Sequence, residues 1–240
     1  MKSPVPGIEG REVGVLVPPG FHPRSRWPIP ALYLLDGNNG LDYDPFGHGG
    51  WQAHRAADAL AAAGAPLLLV LVPNAPARGE EFVPGKGRAP GPTAEGHLEF
   101  LARAVVPAVE RRFPALVAPS GRVIAGSSYG GVHAFWAAWT RPDLFGMALA
   151  MSPSRAYDLS ALVRRADAHP PLRIYLDSGT TDQHGGDDGL SRTRALARLL
   201  ASRGYGEKDL RFVVGKGHSH TEAAWRERLP AAMRFLFLGR

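Results

Sequence analysis

The stretch Ala125-Gly126-Ser127-Ser128-Tyr129-Gly130-Gly131 decides how this chain is read. It follows a short apolar run, Arg122-Val123-Ile124-Ala125, and precedes a helical pattern from Val132 to Thr140. Strand, sharp turn with a central serine, helix: this is the context that a nucleophile elbow requires. A serine on so tight a turn sits in strained backbone geometry, and the residues two positions away on each side nearly touch. Only small side chains fit there, which accounts for Gly126 and Gly130 around Ser128. The turn lifts the hydroxyl clear of the sheet and aims the N–H of Tyr129, at a helix N-terminus, toward the same spot. Ser127 lacks a glycine two residues before it and ranks well below Ser128.

Working outward, strand and helix patterns alternate through most of the 240 residues. Glu12 to Val17 reads as a strand closed by Pro18-Pro19-Gly20. Ala31 to Leu35 is a buried strand ending in Asp36-Gly37-Asn38-Asn39-Gly40, a loop rich in residues that tolerate positive φ. Trp51 to Ala63 is an alanine-rich helix, and Leu67 to Val72 a continuous apolar strand. Pro73 to Thr93 reads as a long Pro/Gly-rich loop, and such loops inside compact domains are usually lids or binding loops. Glu95 to Phe113 is helical, with Pro107 marking a kink or a fresh start. Beyond the elbow come a strand at Met147 to Met151 followed by Ser152-Pro153-Ser154, and a short helix at Leu159 to Ala168. A strand at Leu172 to Leu176 leads into a loop from Asp177 to Asp182. Then come a helix at Leu190 to Ser202, a strand at Leu210 to Val214, and a last helix from Thr221 to Phe237 with Pro230 inside. This order predicts an α/β fold, a mostly parallel sheet with helices on both faces. Neither a repeat nor a domain linker interrupts it, so one domain over residues 1–240 is expected. Ligands of such sheets bind beyond the carboxyl ends of the strands, where Asp36-Gly37, Ser128, Ser152, Asp182 and His220 would converge.

Composition narrows the chemistry. With 45% hydrophobic residues, a chain of this length can bury a sizeable core. The absence of cysteine excludes disulfides, thiol nucleophiles and thiolate metal sites. Net charge is +6 and the pI about 10.0, with arginine far outnumbering lysine. The basic residues are scattered, not gathered in a stripe interleaved with aromatics, so no nucleic-acid partner is expected, although the charge favours anionic substrates. Met1 to Gly10 has no apolar run and no stretch is long enough to span a membrane. A soluble, cytoplasmic protein without a membrane partner is the expectation.

A serine hydroxyl is too weakly acidic to attack an ester unaided. It needs an imidazole as base and a carboxylate to orient that imidazole. In a fold of this kind they follow in the order serine, acid, histidine. Asp182 is the expected acid, in the loop after the Leu172–Leu176 strand. Asp177 lies at the strand end as a candidate buried structural residue, and Asp187 and Asp188, farther along the loop, could cap the next helix; Asp187, beyond Gly185-Gly186, is the alternative acid. His220 is the expected base over His218, since it immediately precedes Thr221, a plausible helix N-cap. His184 is a weaker alternative. His218, His220 and Asp182 could also bind zinc, but that would leave the serine turn unexplained. A tetrahedral intermediate needs two backbone donors. The N–H of Tyr129 is one, and Gly37 or Asn38 supplies the other. Asp36 is expected to brace that loop.

Several stretches together resemble a known family: Leu32-Tyr33-Leu34-Leu35-Asp36-Gly37, Gly126-x-Ser128-x-Gly130-Gly131, Arg141-Pro142-Asp143-Leu144-Phe145-Gly146, Ser152-Pro153-Ser154 and His220-x-Glu222-x-x-Trp225. They resemble the esterase family of α/β-hydrolases that includes esterase D, feruloyl and acetyl-xylan esterases, enterochelin-esterase-like proteins and the antigen 85 mycolyltransferases. The Asp36-Gly37 form and the Arg78…Glu81-Phe82 segment look closest to the enterochelin-esterase-like branch. The resemblance implies an α/β-hydrolase fold, Ser128 as nucleophile, His220 as base and Asp182 as acid. It also implies ester hydrolysis or acyl transfer on a small-molecule ester without a cofactor. A serine carboxylesterase is therefore expected. The alternatives are acyl transfer to a sugar or other alcohol, and a non-catalytic binding protein on a hydrolase fold.

Overall fold

The structure, a computed structural model, describes residues 1–21, 27–43, 47, 49–167, 169–181 and 186–239. Its strands are β1 (Gly14–Leu16), β2 (Ala31–Leu35), β3 (Leu68–Val72), β4 (Arg122–Ser127), β5 (Met147–Met151), β6 (Arg173–Gly179) and β7 (Leu210–Gly215). They form one sheet in the order β1-β3-β2-β4-β5-β6-β7. β1 pairs antiparallel at the edge and every other pairing is parallel. The chain winds outward from β2 to β3 in one direction, and from β4 to β7 in the other. The switch point therefore falls between β2 and β4, and a crevice opens beyond their carboxyl ends.

Parallel strands covered on both faces are apolar on both, and side chains alternate between them. Tyr33, Leu35, Val70, Val72 and Ile124 face one core, against α3 (Ala94–Phe100), α4 (Val106–Arg112), α5 (Tyr129–Thr140), α6 (Leu159–Arg165) and α7 (Leu190–Ser202). Leu32, Leu34, Leu69, Leu71, Val123 and Ala125 face the other, under α1 (Ala53–Ala62) and α8 (Glu222–Leu238). α5 is buried nearly all round, so the element carrying the serine at its start is the most enclosed helix of the molecule.

Three sequence expectations change. The Pro73–Thr93 segment contains a short helix, α2 (Arg78–Phe82). Its five residues include Gly79 and carry no periodic signal. It stands on tertiary contacts instead: Phe82 is fully buried, and Glu81 accepts two hydrogen bonds from Arg11 at 2.7 and 2.9 Å. β6 runs on through Asp177 and Ser178, which were read as loop. Both are buried, and both are satisfied from helices, Asp177 by Arg228 and Ser178 by the Thr193 hydroxyl at 2.8 Å. The Pro107 discontinuity is a π-turn at Leu101–Val105 joining α3 to α4, which accommodates the missing proline N–H without breaking the helix.

Beneath α2, His97 of α3 and His133 of α5 are both fully buried, with His97 Nδ1 3.1 Å from His133 Nε2. Phe82 packs on both rings, and Phe100 and Trp136 complete the enclosure. Burial pushes both histidines down, His133 to about 3 and His97 well below its usual range. Both are neutral in the folded protein, whereas in the unfolded chain they take up protons below about pH 6.5. Their contribution to stability is present above that pH and is lost progressively as pH falls below it, because the unfolded chain binds protons that the buried pair does not. Melts recorded from pH 8 to pH 4 should show Tm falling more steeply for the wild type than for a His97→Leu/His133→Leu double variant; parallel curves would refute this account.

Candidate active site

β4 ends at Ser127 and α5 begins at Tyr129, so a single residue makes the turn. Ser128 adopts φ 54° and ψ −121°, a conformation that costs a non-glycine residue about 1–3 kcal/mol. Backbone bonds hold it there. Its N–H donates to Met151 O at 3.1 Å, and its carbonyl accepts from Val132 N at 3.0 Å and Ser154 N at 3.1 Å. Space is short at both flanking glycines, and decisively so at Gly126. A Cβ on Gly126 would lie 2.6 Å from the Gly130 carbonyl, and one on Gly130 would lie 3.0 Å from Asp36 Oδ2. Ser127 is buried at the strand end, whereas Ser128 is partly exposed.

The loop after β2 closes over the same end of the sheet. Asp36 takes φ 54°, and Gly37–Asn39 form one 3-10 turn. Gly37 is pressed against the β3 backbone: a Cβ there would sit 2.5 Å from Val72 N. The first bond of that turn runs from Asn39 N to Asp36 O at 2.9 Å. The N–H groups of Gly37 and Asn38 come before it and have no acceptor within the turn. The N–H of Tyr129, likewise in the first turn of α5, has none within its helix. Asn39 Nδ2 donates to Glu222 Oε1 at 3.3 Å, tying this loop to the start of α8. Asp36 does more than brace its own loop, since both its oxygens accept from Arg78 of α2, at 2.6 and 2.7 Å. The Arg78 guanidinium lies over the Tyr129 ring at 5.3 Å, and the Lys86 ammonium lies over it at 4.9 Å.

The loops after β6 and β7 are drawn together by Thr180 N to Gly215 O at 3.1 Å and Thr181 N to His218 O at 3.2 Å. Gly179 makes this approach possible, because a Cβ there would fall 2.1 Å from His218 O. His220 Nδ1 meets Asp188 Oδ1 at 2.5 Å, with the carboxylate fully enclosed and the imidazole about one-third exposed. The Trp225 ring packs against the imidazole at 5.0 Å, nearly perpendicular to it. Thr221 caps α8 as the sequence suggested, its hydroxyl accepting from Ala224 N at 3.4 Å. His218 is engaged elsewhere. Its Nδ1 accepts from Arg228 at 3.0 Å and its Nε2 meets Glu227 at 3.2 Å. Those two contacts set its tautomer and leave neither nitrogen for base or metal-ligand duty.

Asp182 and His184 lie outside the described residues. Of the other carboxylates in that region, Asp177 is buried and paired with Arg228, and Asp187 caps α7 by accepting from Gly189 N and Ser191 N at 3.1 and 3.0 Å. The pairing of Asp188 with His220 was not foreseen. In the sequence Asp187-Asp188 are adjacent and equivalent as cap candidates. The structure separates them: Asp187 accepts from the first turn of α7, whereas Asp188 is enclosed and meets the imidazole.

These groups converge. Residues 151 and 154 bond the Ser128 backbone, Ser152 between them bonds Asp188, and Asp188 bonds His220. An imidazole whose Nδ1 faces a carboxylate presents Nε2 to a reacting hydroxyl, and N–H groups at two helix starts can receive a developing oxyanion. Among the described residues no helix is long and apolar enough to cross a membrane.

Known proteins with related sequences and folds bear on this arrangement. The chain is 31% identical over 152 residues to the siderophore triacetylfusarinine C esterase of Aspergillus fumigatus, covering 60% of this chain and 50% of that protein. It is 30% identical over 116 residues to the siderophore enterobactin esterase of Emericella nidulans, covering 41% and 38%. The chain thus spans half or less of the length of these relatives. Among solved structures, the enterobactin esterase of Shigella flexneri superposes with a TM-score of 0.73 at 19% identity, over 95% of this chain and 55% of that one. A siderophore hydrolase from Aspergillus nidulans gives 0.66 at 20% identity, over 94% and 90%. At such identities the likeness carries the fold alone, that of α/β-hydrolase-like esterases. A family profile described as Putative esterase matches residues 9–236, nearly the whole chain, and the chain belongs to that family.

Proposed function

We propose that the protein is a serine carboxylesterase with Ser128 as nucleophile, His220 as general base and Asp188 as the acid of the triad. The observation that carries this reading is the enclosed Asp188–His220 hydrogen bond, joined through Ser152 to the strained Ser128 turn. Asp188 takes the role that the sequence alone suggested for Asp182. In this mechanism Ser128 Oγ attacks the ester carbonyl carbon as its proton passes to His220 Nε2. The oxyanion rests on the N–H groups of Tyr129 and of Gly37 or Asn38. Collapse of this intermediate expels the alcohol, which takes the proton back from His220 and leaves an acyl-serine. Water, deprotonated by the same imidazole, releases the acid. Asp188 fixes the imidazole with Nε2 toward the serine and stabilises the imidazolium.

Ser128→Ala should abolish both p-nitrophenyl acetate turnover and labelling by a fluorophosphonate, with an unchanged melt. Continued labelling of a folded variant would remove Ser128 from the mechanism. Asp188→Asn should lower kcat by up to about 10⁴-fold with KM little changed, while Asp182→Asn and Asp187→Asn stay near the wild type. A dead Asp182→Asn beside an active Asp188→Asn would return the acid to the earlier position.

The substrate class follows from relatives named for siderophore esters and from the cations around Tyr129. Arg78 is neutralised by Asp36, but among the described residues no carboxylate pairs with Lys86. An ester bearing an anionic group near the scissile carbonyl suits that placement. Lys86→Met should raise KM about three- to tenfold for a p-nitrophenyl ester with a carboxylate on its acyl chain, as expected for one partly exposed charge pair. The effect on p-nitrophenyl butyrate should be much smaller, and equal effects on both esters would rule out a charge contact.

A further inference from the structure

No step of the mechanism above assigns a task to the side chain of Ser152, the first residue of the turn after β5, yet that residue is fully buried and held at φ 42°. A serine in the left-handed region is strained, and glycine would relieve that strain. Its surroundings show what the side chain does. Trp225 Nε1 donates to Ser152 Oγ at 3.0 Å, and Arg228 Nη2 donates to the same atom at 3.1 Å. Indole and guanidinium N–H groups can only donate, so both lone pairs of the hydroxyl oxygen are taken. The single hydroxyl proton is left with one acceptor in reach, Asp188 Oδ2, with which Ser152 Oγ makes a short hydrogen bond. Gly179 N–H donates to that same oxygen at 2.7 Å. Asp188 Oδ2 is thereby held by two donors while Oδ1 is left for His220.

The donors are themselves fixed. Arg228 forms a bidentate pair with Asp177, Nε to Oδ2 at 3.0 Å and Nη2 to Oδ1 at 3.1 Å, and its Nη1 meets His218 Nδ1. Ser152 N–H donates to both the carbonyl and the carboxylate of Asp177, at 2.9 and 3.2 Å. Trp225 and Arg228 lie three residues apart on one face of α8. Among the described residues, the charged and titratable groups around Asp188 and His220 are thus Asp177 on β6, His218 on the loop after β7 and Arg228 on α8. Glu222 is occupied by Asn39.

We infer that Ser152 is a positioning residue, with Trp225 and Arg228 aiming its hydroxyl at Asp188 so that this carboxylate is presented to His220 in one orientation. This rests on the triad proposed above and adds to it a role for α8, which carries both donors. A buried polar network that only supports the fold would account for stability, but would leave the chemical step alone.

The test is a pair of variants that differ in backbone strain and share the loss of the hydroxyl. Ser152→Ala and Ser152→Gly are assayed with p-nitrophenyl butyrate from pH 5 to 9, beside the wild type and Asp188→Asn, with melts of each. In both Ser152 variants kcat should fall between about tenfold and hundredfold, the scale of a small misplacement in a catalytic group, with KM within about twofold. The acid limb of the pH–rate profile should move to higher pH, because a carboxylate that has lost a donor keeps more charge facing the imidazole. Ser152→Gly should melt above Ser152→Ala without recovering activity. Wild-type kcat and profile in either Ser152 variant, beside an inactive Asp188→Asn, would overturn the role of Ser152 and leave the triad standing. So would a kcat that recovers in step with the melting temperature of the glycine variant. An active Asp188→Asn would instead overturn the triad itself.

Discussion

One non-glycine residue held at φ 54° is the constraint on which the rest of this structure depends. The Ser128 turn stores strain of about 1–3 kcal/mol, and it can do so because β4 and α5, on either side of it, are buried almost throughout. The same enclosure leaves no room for a Cβ at position 126 and little at position 130, where it would crowd the Asp36 carboxylate. It also leaves the first N–H groups of α5 without backbone acceptors at the mouth of the crevice. Strain, small neighbours and unpaired donors follow from one backbone decision, taken where the sheet reverses its winding between β2 and β4.

The second feature is a line of buried polar groups under the crevice. Asp177, Arg228, Ser152 and Asp188 are all enclosed, and each is satisfied by the next. Burial raises the Asp177 carboxyl above its usual range while the Arg228 guanidinium pulls against it. Such a pair is weak evidence of net stabilisation, since hydrophobic residues of similar size often do as well. Removing one partner alone, however, costs about 3–5 kcal/mol. The network is better understood through geometry. It links the ends of β5 and β6 to α8, and α8 is also where His220 and Trp225 meet. Here the imidazole is gripped by a carboxylate on one nitrogen and an indole on one face.

Around the mouth, the Asp36–Arg78 pair couples the β2 loop to α2, and the rings of Phe82 and Tyr129 pack under the guanidinium. α2 thus stands beside the Ser128 turn, with the buried His97–His133 pair packed beneath its Phe82. A segment that reads as Pro/Gly-rich loop therefore carries ordered structure next to the Ser128 turn.

The sequence by itself determined what rests on local chemistry and period. The Gly-x-Ser-x-Gly turn, the alternating strand and helix order, the Thr221 cap and the family resemblance were all legible, because each is written in neighbouring residues. The parallel sheet and the place of the Ser128 turn between strand and helix follow from them. Tertiary structure alone decided which carboxylate meets the imidazole. Asp187 and Asp188 differ by one position, yet in the folded chain one caps α7 and the other is enclosed against His220. It alone decided that β6 continues through Asp177 and Ser178, since a polar strand end is stable only when distant partners such as Arg228 and Thr193 satisfy it. The helix at Arg78–Phe82 and the gathering of Ser152, Trp225 and Arg228 belong to the same class. Residues as many as 76 positions apart become partners there, and no local period records a contact at that range.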